Sequence, residues 1–245
     1  MITRLSATEV TEAGLISAYQ VEDRSIRHLR VNFVTSIDGA VTVDGQSKAL
    51  STDDDSELFG KLRMLSDVVL VGAGTVRIEG YNPLRVNAER QKWRKAAGLP
   101  ENPVLAIVSG RLDLSPINPV FAEAAVRPLV ITHAAAPPDR GDALAEVADI
   151  LVCGEAEVDL HRAVAALADR GLPQILCEGG PHLLSALTEA DLVDEMCLSL
   201  TPLLAGPGAG RITAGPPATT VRRLKPKVVH ASDDGSLFLR YLRSD

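Results

Sequence analysis

The stretch ILCEGGPHLL, Ile175 to Leu184, sets an acid and two consecutive glycines directly after an apolar run. An acid that ends a buried strand is costly unless it meets a partner or a cleft, so Glu178 is a candidate for contact with a substrate. Gly179 and Gly180 lead into a helix that opens at Pro181 and continues through His182, Leu183 and Leu184. Side-chain-free residues before a helix N-terminus expose backbone N–H groups and a positive dipole end to an anion such as a pyrophosphate. A simple tight turn is the competing reading.

A second stretch, VGAGTVRIEGYNPLR, has the same layout, with Gly72, Gly74 and Thr75 at the end of an apolar run. Ligands bind at strand ends of this kind in α/β sheets, although an ordinary strand-to-helix turn needs the same residues. The full dinucleotide fingerprint is missing, because neither the third glycine nor the later acid stands at the required spacing. A third stretch, NFVTSIDGAVTVDGQSKALST, carries Asp38 after a run with strand character, then Ser47, Lys48, Ser51 and Thr52 ahead of a helix. Asp38-Gly39 is equally a turn sequence. Arg63 and Arg85 have the side chain best suited to a phosphate, and both also suit a solvated surface.

These residues need a frame that brings them to one edge. Short β-branched runs recur at residues 30–37, 67–72, 104–109, 128–132, 149–153, 173–178 and 195–202. Several are continuous rather than alternating, as strands covered on both faces should be. Between them, residues 53–65, 157–170 and 181–190 repeat apolar positions at helical spacing, which predicts a largely parallel α/β sheet. The acidic start STDDDSE caps the first of these helices, and Gly171 and Pro173 close the second. Residues 227–243 form two β-like arms around Asp234-Gly235, an antiparallel hairpin that should finish the sheet. Residues 85–103 read as an exposed polar insertion and 133–142 as a loop. One domain over residues 1–245 is the expected organisation, with no internal repeat and no persuasive linker.

Composition narrows the chemistry. The chain has 245 residues, enough for a sizeable core, and is 46% hydrophobic with only 3% aromatic residues, so the core should be aliphatic. A net charge of −7 argues against phosphate-neutralising binding of nucleic acid. No apolar run approaches the ~20 residues of a membrane span and no secretory signal is evident, which sets a cytoplasmic address as the expectation. Cys153, Cys177 and Cys197 are scattered in apolar sequence, and the five histidines form no ligand spacing, so no metal site is expected.

Jointly, NFVTSIDG, LRMLSDVVLVGAGTVRIEGYNPL, ILCEGGPHLL and LVDEMCLSLTPLLAG resemble the riboflavin-biosynthesis pyrimidine reductases, the reductase domain of the bifunctional deaminase–reductase, in stand-alone form. The resemblance covers about residues 29–243. It implies a dihydrofolate-reductase-like fold, NADPH as cofactor, usually a homodimer, and reduction of the ribosyl chain of 5-amino-6-(5-phosphoribosylamino)uracil to the ribityl product. The deaminase half would need HxE and PCxxC, and this chain has neither. By matched position the resemblance assigns Thr75, Glu79, Ser109, Gly179, Gly180 and Pro181 to Leu184 to NADPH. Ser47, Arg63, Leu84, Arg85 and Glu178 go to the pyrimidine nucleotide, with Asp38 nearby. Two positions depart from the family, which commonly has Asp where Glu79 stands and a bulky residue where Ala49 stands. Asp38 or Glu178 is expected to orient or protonate the substrate, Arg63 with Arg85 or Lys48 to hold its phosphate, and Ser109 and Arg111, in VSGRLD, to read the 2′-phosphate of NADPH. A dihydrofolate or pteridine reductase, and a nucleotide-binding module without turnover, are the rival readings.

Overall fold

Runs of Val, Ile and Leu without polar interruption stay extended where both faces are covered, and the middle of the sheet is built from such runs. A computed structural model describes residues 9–244. Its strands are β1 (His28–Ser36), β2 (Val68–Gly72), β3 (Val104–Val108), β4 (Leu129–Thr132), β5 (Asp149–Val152), β6 (Gln174–Cys177), β7 (Glu195–Thr201), β8 (Leu224–Ala231) and β9 (Leu237–Arg243). The helices are α1 (Glu12–Tyr19), α2 (Asp53–Leu65), α3 (Ala73–Ile78), α4 (Ala88–Ala96), α5 (Pro119–Ala122), α6 (Pro138–Ala145), α7 (Leu160–Asp169) and α8 (Pro181–Glu189), with a 3₁₀ turn at Ser47–Leu50.

All nine strands join one sheet in the order β5-β4-β3-β2-β6-β1-β7-β9-β8. Pairing is parallel from β5 through β7, and β9 and β8 close that edge as an antiparallel hairpin. The α/β architecture read from the sequence is therefore the one observed. Burial follows position: β4 and β6 are covered at every residue, whereas the edge strand β8 has none buried.

Two apolar layers sandwich the sheet. On one face Leu58, Leu62 and Leu65 of α2 pack with Tyr19, Val76, Phe121 and Leu144. On the other, Ala163, Val164 and Leu167 of α7 and Leu183, Leu184 and Leu187 of α8 cover the alternate side chains of the strands. Each residue buried this way contributes roughly 1.5–3 kcal/mol, so helix position is set by the core, and with it the position of every polar side chain that the helices carry to the edge. Thr52 caps α2 by accepting from Asp55 N, and three acids fill its first turn, as the sequence suggested.

Two expectations fail. The polar segment 85–103 is exposed over most of its length but is not a loose insertion, because it folds α4 against α2 and buries Arg94 completely. The Arg94 guanidinium donates to the carbonyls of Met64, Ser66 and Pro100 at 2.6–2.8 Å, satisfying the end of α2. Within 133–142, Pro138 starts α6 rather than extending the loop, since its fixed φ suits the first helical position. Among the described residues no helix is long and apolar enough to cross a membrane.

Candidate active site

Parallel pairing sends the C-terminal ends of β1, β2, β3 and β6 to one edge of the sheet, where ligand crevices open in such folds. A cleft of about 430 Å³ lies there, within the range of small-molecule sites. Its walls come from β1 (Asn32, Phe33), the 3₁₀ turn (Ser47, Lys48), α2 (Asp55, Ser56, Phe59, Arg63), the turns around Thr75 and Glu79–Asn82, and the segment Glu178–Pro181.

Glu178 follows β6, the strand between β2 and β1, and its backbone N–H still donates to Leu70 O at 3.0 Å. The side chain is 4% exposed and does not stand alone. Arg63 grips it with two parallel bonds, Nε to Oε1 and Nη2 to Oε2, each 2.7 Å. The Tyr81 hydroxyl donates to Oε2 and accepts from Arg63 Nη2 at 2.8 Å. Arg63 itself lies over the Phe59 ring at 4.2 Å and near the Tyr81 ring at 5.5 Å. Burial opposes the Arg63 charge, but the Glu178 carboxylate outweighs it and holds the guanidinium above its ordinary pKa. Burial, reinforced by the same carboxylate, raises the Tyr81 phenol well above its usual range, so Tyr81 keeps its proton.

The glycines beside the acid are required by close contacts. Gly179 has φ +92°, and a Cβ there would stand 2.9 Å from Phe33 Cζ. A Cβ on Gly180 would stand 2.8 Å from Thr75 Oγ1. Gly72 N–H donates to Gly179 O at 2.7 Å, which locks the β2–α3 turn to the β6–α8 turn. Gly180 is the N-cap of α8 and supplies no side-chain cap, so the first N–H groups of that helix stay available to a ligand. The two glycine turns thus form one cradle, and its backbone donors fit the pyrophosphate of a dinucleotide.

Of the residues singled out in the sequence, Ser47, Arg63, Thr75, Glu79, Glu178, Gly180 and Pro181 meet at the cleft, with Ser47 donating to Glu79 at 3.2 Å. Gly72 and Gly179 form the turns behind them, and Gly74 lies in the first turn of α3. Leu183 and Leu184 serve the core and His182 points outward. Leu84 is buried in the other core layer, and Arg85 is exposed and donates to Glu123 O. Asp38 is exposed outside the cleft wall, engaged by the Ser36 hydroxyl and by the N–H groups of Ala205 and Gly206. Ser109 is buried just past β3, and Arg111 is exposed beyond it.

Sequence reasoning missed Tyr81 and Phe59. Phe59 stands four residues before Arg63 on α2, the spacing at which helical side chains touch, and so could have been found. Tyr81 lies in a coil without periodicity. Among the described residues no His, Cys, Asp or Glu cluster could hold a metal, and all three cysteines are buried and free.

Comparison with known proteins places the family and the fold. The family model of the RibD C-terminal domain matches residues 27–238. A 2,5-diamino-6-ribosylamino-4(3H)-pyrimidinone 5′-phosphate reductase of Archaeoglobus fulgidus is 29% identical over 177 residues, covering 72% of this chain and 80% of that one. The reductase of the same name from Methanothermobacter thermautotrophicus is 28% identical, covering 72% and 78%. A crystal structure of a pyrimidine reductase-like protein from Corynebacterium diphtheriae superposes with a TM-score of 0.81 at 27% identity, covering 89% of this chain and 92% of that one.

Proposed function

The chain belongs to the family of the RibD C-terminal domain, and from that premise we propose that it is an NADPH-dependent reductase of a pyrimidine ribotide 5′-phosphate in riboflavin biosynthesis. The observation that carries this reading is the clamped acid, Glu178, placed beside the cradle formed by Gly72, Gly179, Gly180 and the start of α8. An anionic dinucleotide fits the cradle, and a donor-bearing substrate fits the acid.

Two substrates match the chemistry. One is 5-amino-6-(5-phosphoribosylamino)uracil, expected from the sequence resemblance. The other is its amino counterpart, the diaminopyrimidinone for which the two archaeal relatives are named, and those names favour it. In either, opening of the ribose ring breaks the C1′–O4′ bond, O4′ takes a proton from solvent, and C1′ is left in a protonated C=N bond. The bound nicotinamide supplies the hydride. As hydride adds to C1′, the C=N π pair moves onto nitrogen, which keeps the proton it carries. Glu178 accepts that N–H and fixes the nitrogen at the cleft wall, while Asp38 stays with its loop. Thr75, Gly179 and Gly180 hold the dinucleotide through the cradle, and the exposed Arg111 reads its 2′-phosphate.

The test is oxidation of NADPH and of NADH by purified protein with the two ribotides and dihydrofolate in parallel. Turnover of a ribotide with preference for NADPH is expected. Turnover of dihydrofolate alone moves the protein to pteridine chemistry, and tight NADPH binding with no turnover leaves a binding module.

A further inference from the structure

The Glu178 carboxylate has two oxygens of about two acceptor sites each, and its neighbours do not fill them evenly. Oε2 accepts from Arg63 Nη2 and from the Tyr81 hydroxyl, and both of its sites are used. Oε1 accepts from Arg63 Nε alone. The Tyr81 hydroxyl is committed in turn, since its one proton goes to Oε2 and it receives Arg63 Nη2 at 2.8 Å. A phenol so engaged has no proton to deliver, and burial with the adjacent carboxylate holds that proton in place.

We propose that Tyr81 is a positioning residue for Glu178: by saturating Oε2 it fixes the carboxylate in one orientation and leaves Oε1 as the free acceptor that meets the substrate N–H. This rests on the reductase reading above. The alternative role for Tyr81, packing alone, is served by its ring, which touches the core layer under α2 and stands 5.5 Å from Arg63. Tyr81→Phe keeps that ring and removes only the hydroxyl, so the two roles separate. Without the hydroxyl, Oε2 regains an open site, the carboxylate can present either oxygen, and the productive orientation is diluted.

The experiment is a double-mutant cycle of Y81F and E178Q, with kcat, ribotide KM and NADPH affinity measured at each corner. The cycle is accompanied by the carboxyl ¹³C resonance of Glu178, identified by its loss in E178Q. In the otherwise native protein, Y81F is expected to lower kcat about tenfold, with NADPH affinity unchanged, and to move the Glu178 resonance. In the E178Q background the same change should have no further effect on kcat, because Tyr81 acts through an acid that is gone. A tenfold loss that persists in E178Q, or a Y81F protein with native kcat and an unmoved resonance, overturns the proposal. If the native protein reduces neither ribotide, the reductase reading fails on its own. The resonance, compared between native and Y81F protein with and without bound ribotide, then still decides whether Tyr81 orients the acid.

Discussion

Two buried carboxylates sit at opposite ends of the same sheet. Glu178 stands at the C-terminal edge, after β6, and Glu195 opens β7 at the other edge. Both are gripped by arginine, and both follow or begin apolar runs that look alike in sequence. The difference is saturation. Glu195 is fully buried and receives Arg30 Nε at 2.5 Å and Cys197 Sγ at 3.3 Å on Oε1, then His28 and Arg240 at 2.8 Å and Arg30 Nη2 at 3.2 Å on Oε2. Burial opposes its charge, but Arg30, His28 and Arg240 outweigh the cost and hold the carboxyl far below its usual range. Nothing is left for a ligand. Its arginines instead reach on to the carbonyls of Tyr19 and Ala18, strapping α1 to the sheet. A buried acid with every site filled is a fastener, and one with a free site facing a cleft is a tool.

The largest effect should come from breaking the fastener. Glu195→Gln leaves Arg30 and Arg240 buried without their counter-charge, and removing one partner of a buried pair costs about 3–5 kcal/mol. A lowered denaturant midpoint is expected, with kcat per folded molecule unchanged. The pH dependence has a definite sign. Because the folded-state pKa of Glu195 is depressed, its stabilisation is complete above the unfolded value of about 4.3 and is lost as pH falls through the folded value. Native protein should therefore lose stability steeply below about pH 4, and E195Q should lose less over the same range. Equal acid sensitivity in the two proteins contradicts the contrast.

Breaking the tool should do the reverse. Glu178→Gln takes the counter-charge from one arginine that is 21% exposed, where Glu195→Gln takes it from two that are 7% and 6% exposed, so the stability cost should be smaller than for E195Q. The amide cannot accept the two Arg63 bonds and the Tyr81 proton while also holding a substrate N–H. A loss of about 100-fold in kcat/KM, or about 2.7 kcal/mol, is expected from steady-state assays. Native kcat/KM in E178Q would remove the acid from the mechanism and with it the distinction between the two ends of the sheet.

How much of this was legible follows from where the signals lie. Strands β2, β3, β4 and β6 were readable because each is a local and continuous buried run. The antiparallel hairpin was readable because Asp234-Gly235 marks its turn within a few residues. Segment 85–103 was misread because its fully buried arginine, Arg94, looks like its exposed neighbours until the carbonyls of Met64 and Ser66 are placed over it. At the site, Glu178 and its glycines announce themselves by type and order, as does Thr75. What they touch does not: Arg63 and Glu178 are 115 residues apart, and Tyr81 and Glu178 are 97 apart. Sequence therefore names Arg63 as a phosphate ligand and Glu178 as a substrate contact, and only the fold shows that they are occupied with each other.

The same criterion of saturation, applied to the cations, gives the smallest and most discriminating prediction. Two cationic side chains line the cleft, Arg63 and Lys48. Arg63 spends Nε and Nη2 on Glu178 and Tyr81 and its faces on two aromatic rings, which leaves only Nη1 for a ligand. Lys48 is exposed at the 3₁₀ turn beside Ser47 and Ser51, with no ion pair among the described residues. A substrate phosphate at the cleft mouth would meet the exposed Lys48 before Arg63, whose Nε and Nη2 already hold Glu178 and Tyr81. Lys48→Ala should raise the ribotide KM about tenfold, about 1.4 kcal/mol, and leave kcat near native, because binding of a remote phosphate is uniform between ground and transition states. The dephosphorylated ribonucleoside should show no difference between native and K48A protein. Added salt should raise the native KM and not that of K48A, since an exposed cation is screened. If Arg63→Ala instead produces the phosphate-dependent change in KM while K48A is silent, the guanidinium leaves Glu178 when substrate binds. The carboxylate would then be free on both oxygens during turnover, and the clamp would be a resting arrangement rather than a working one.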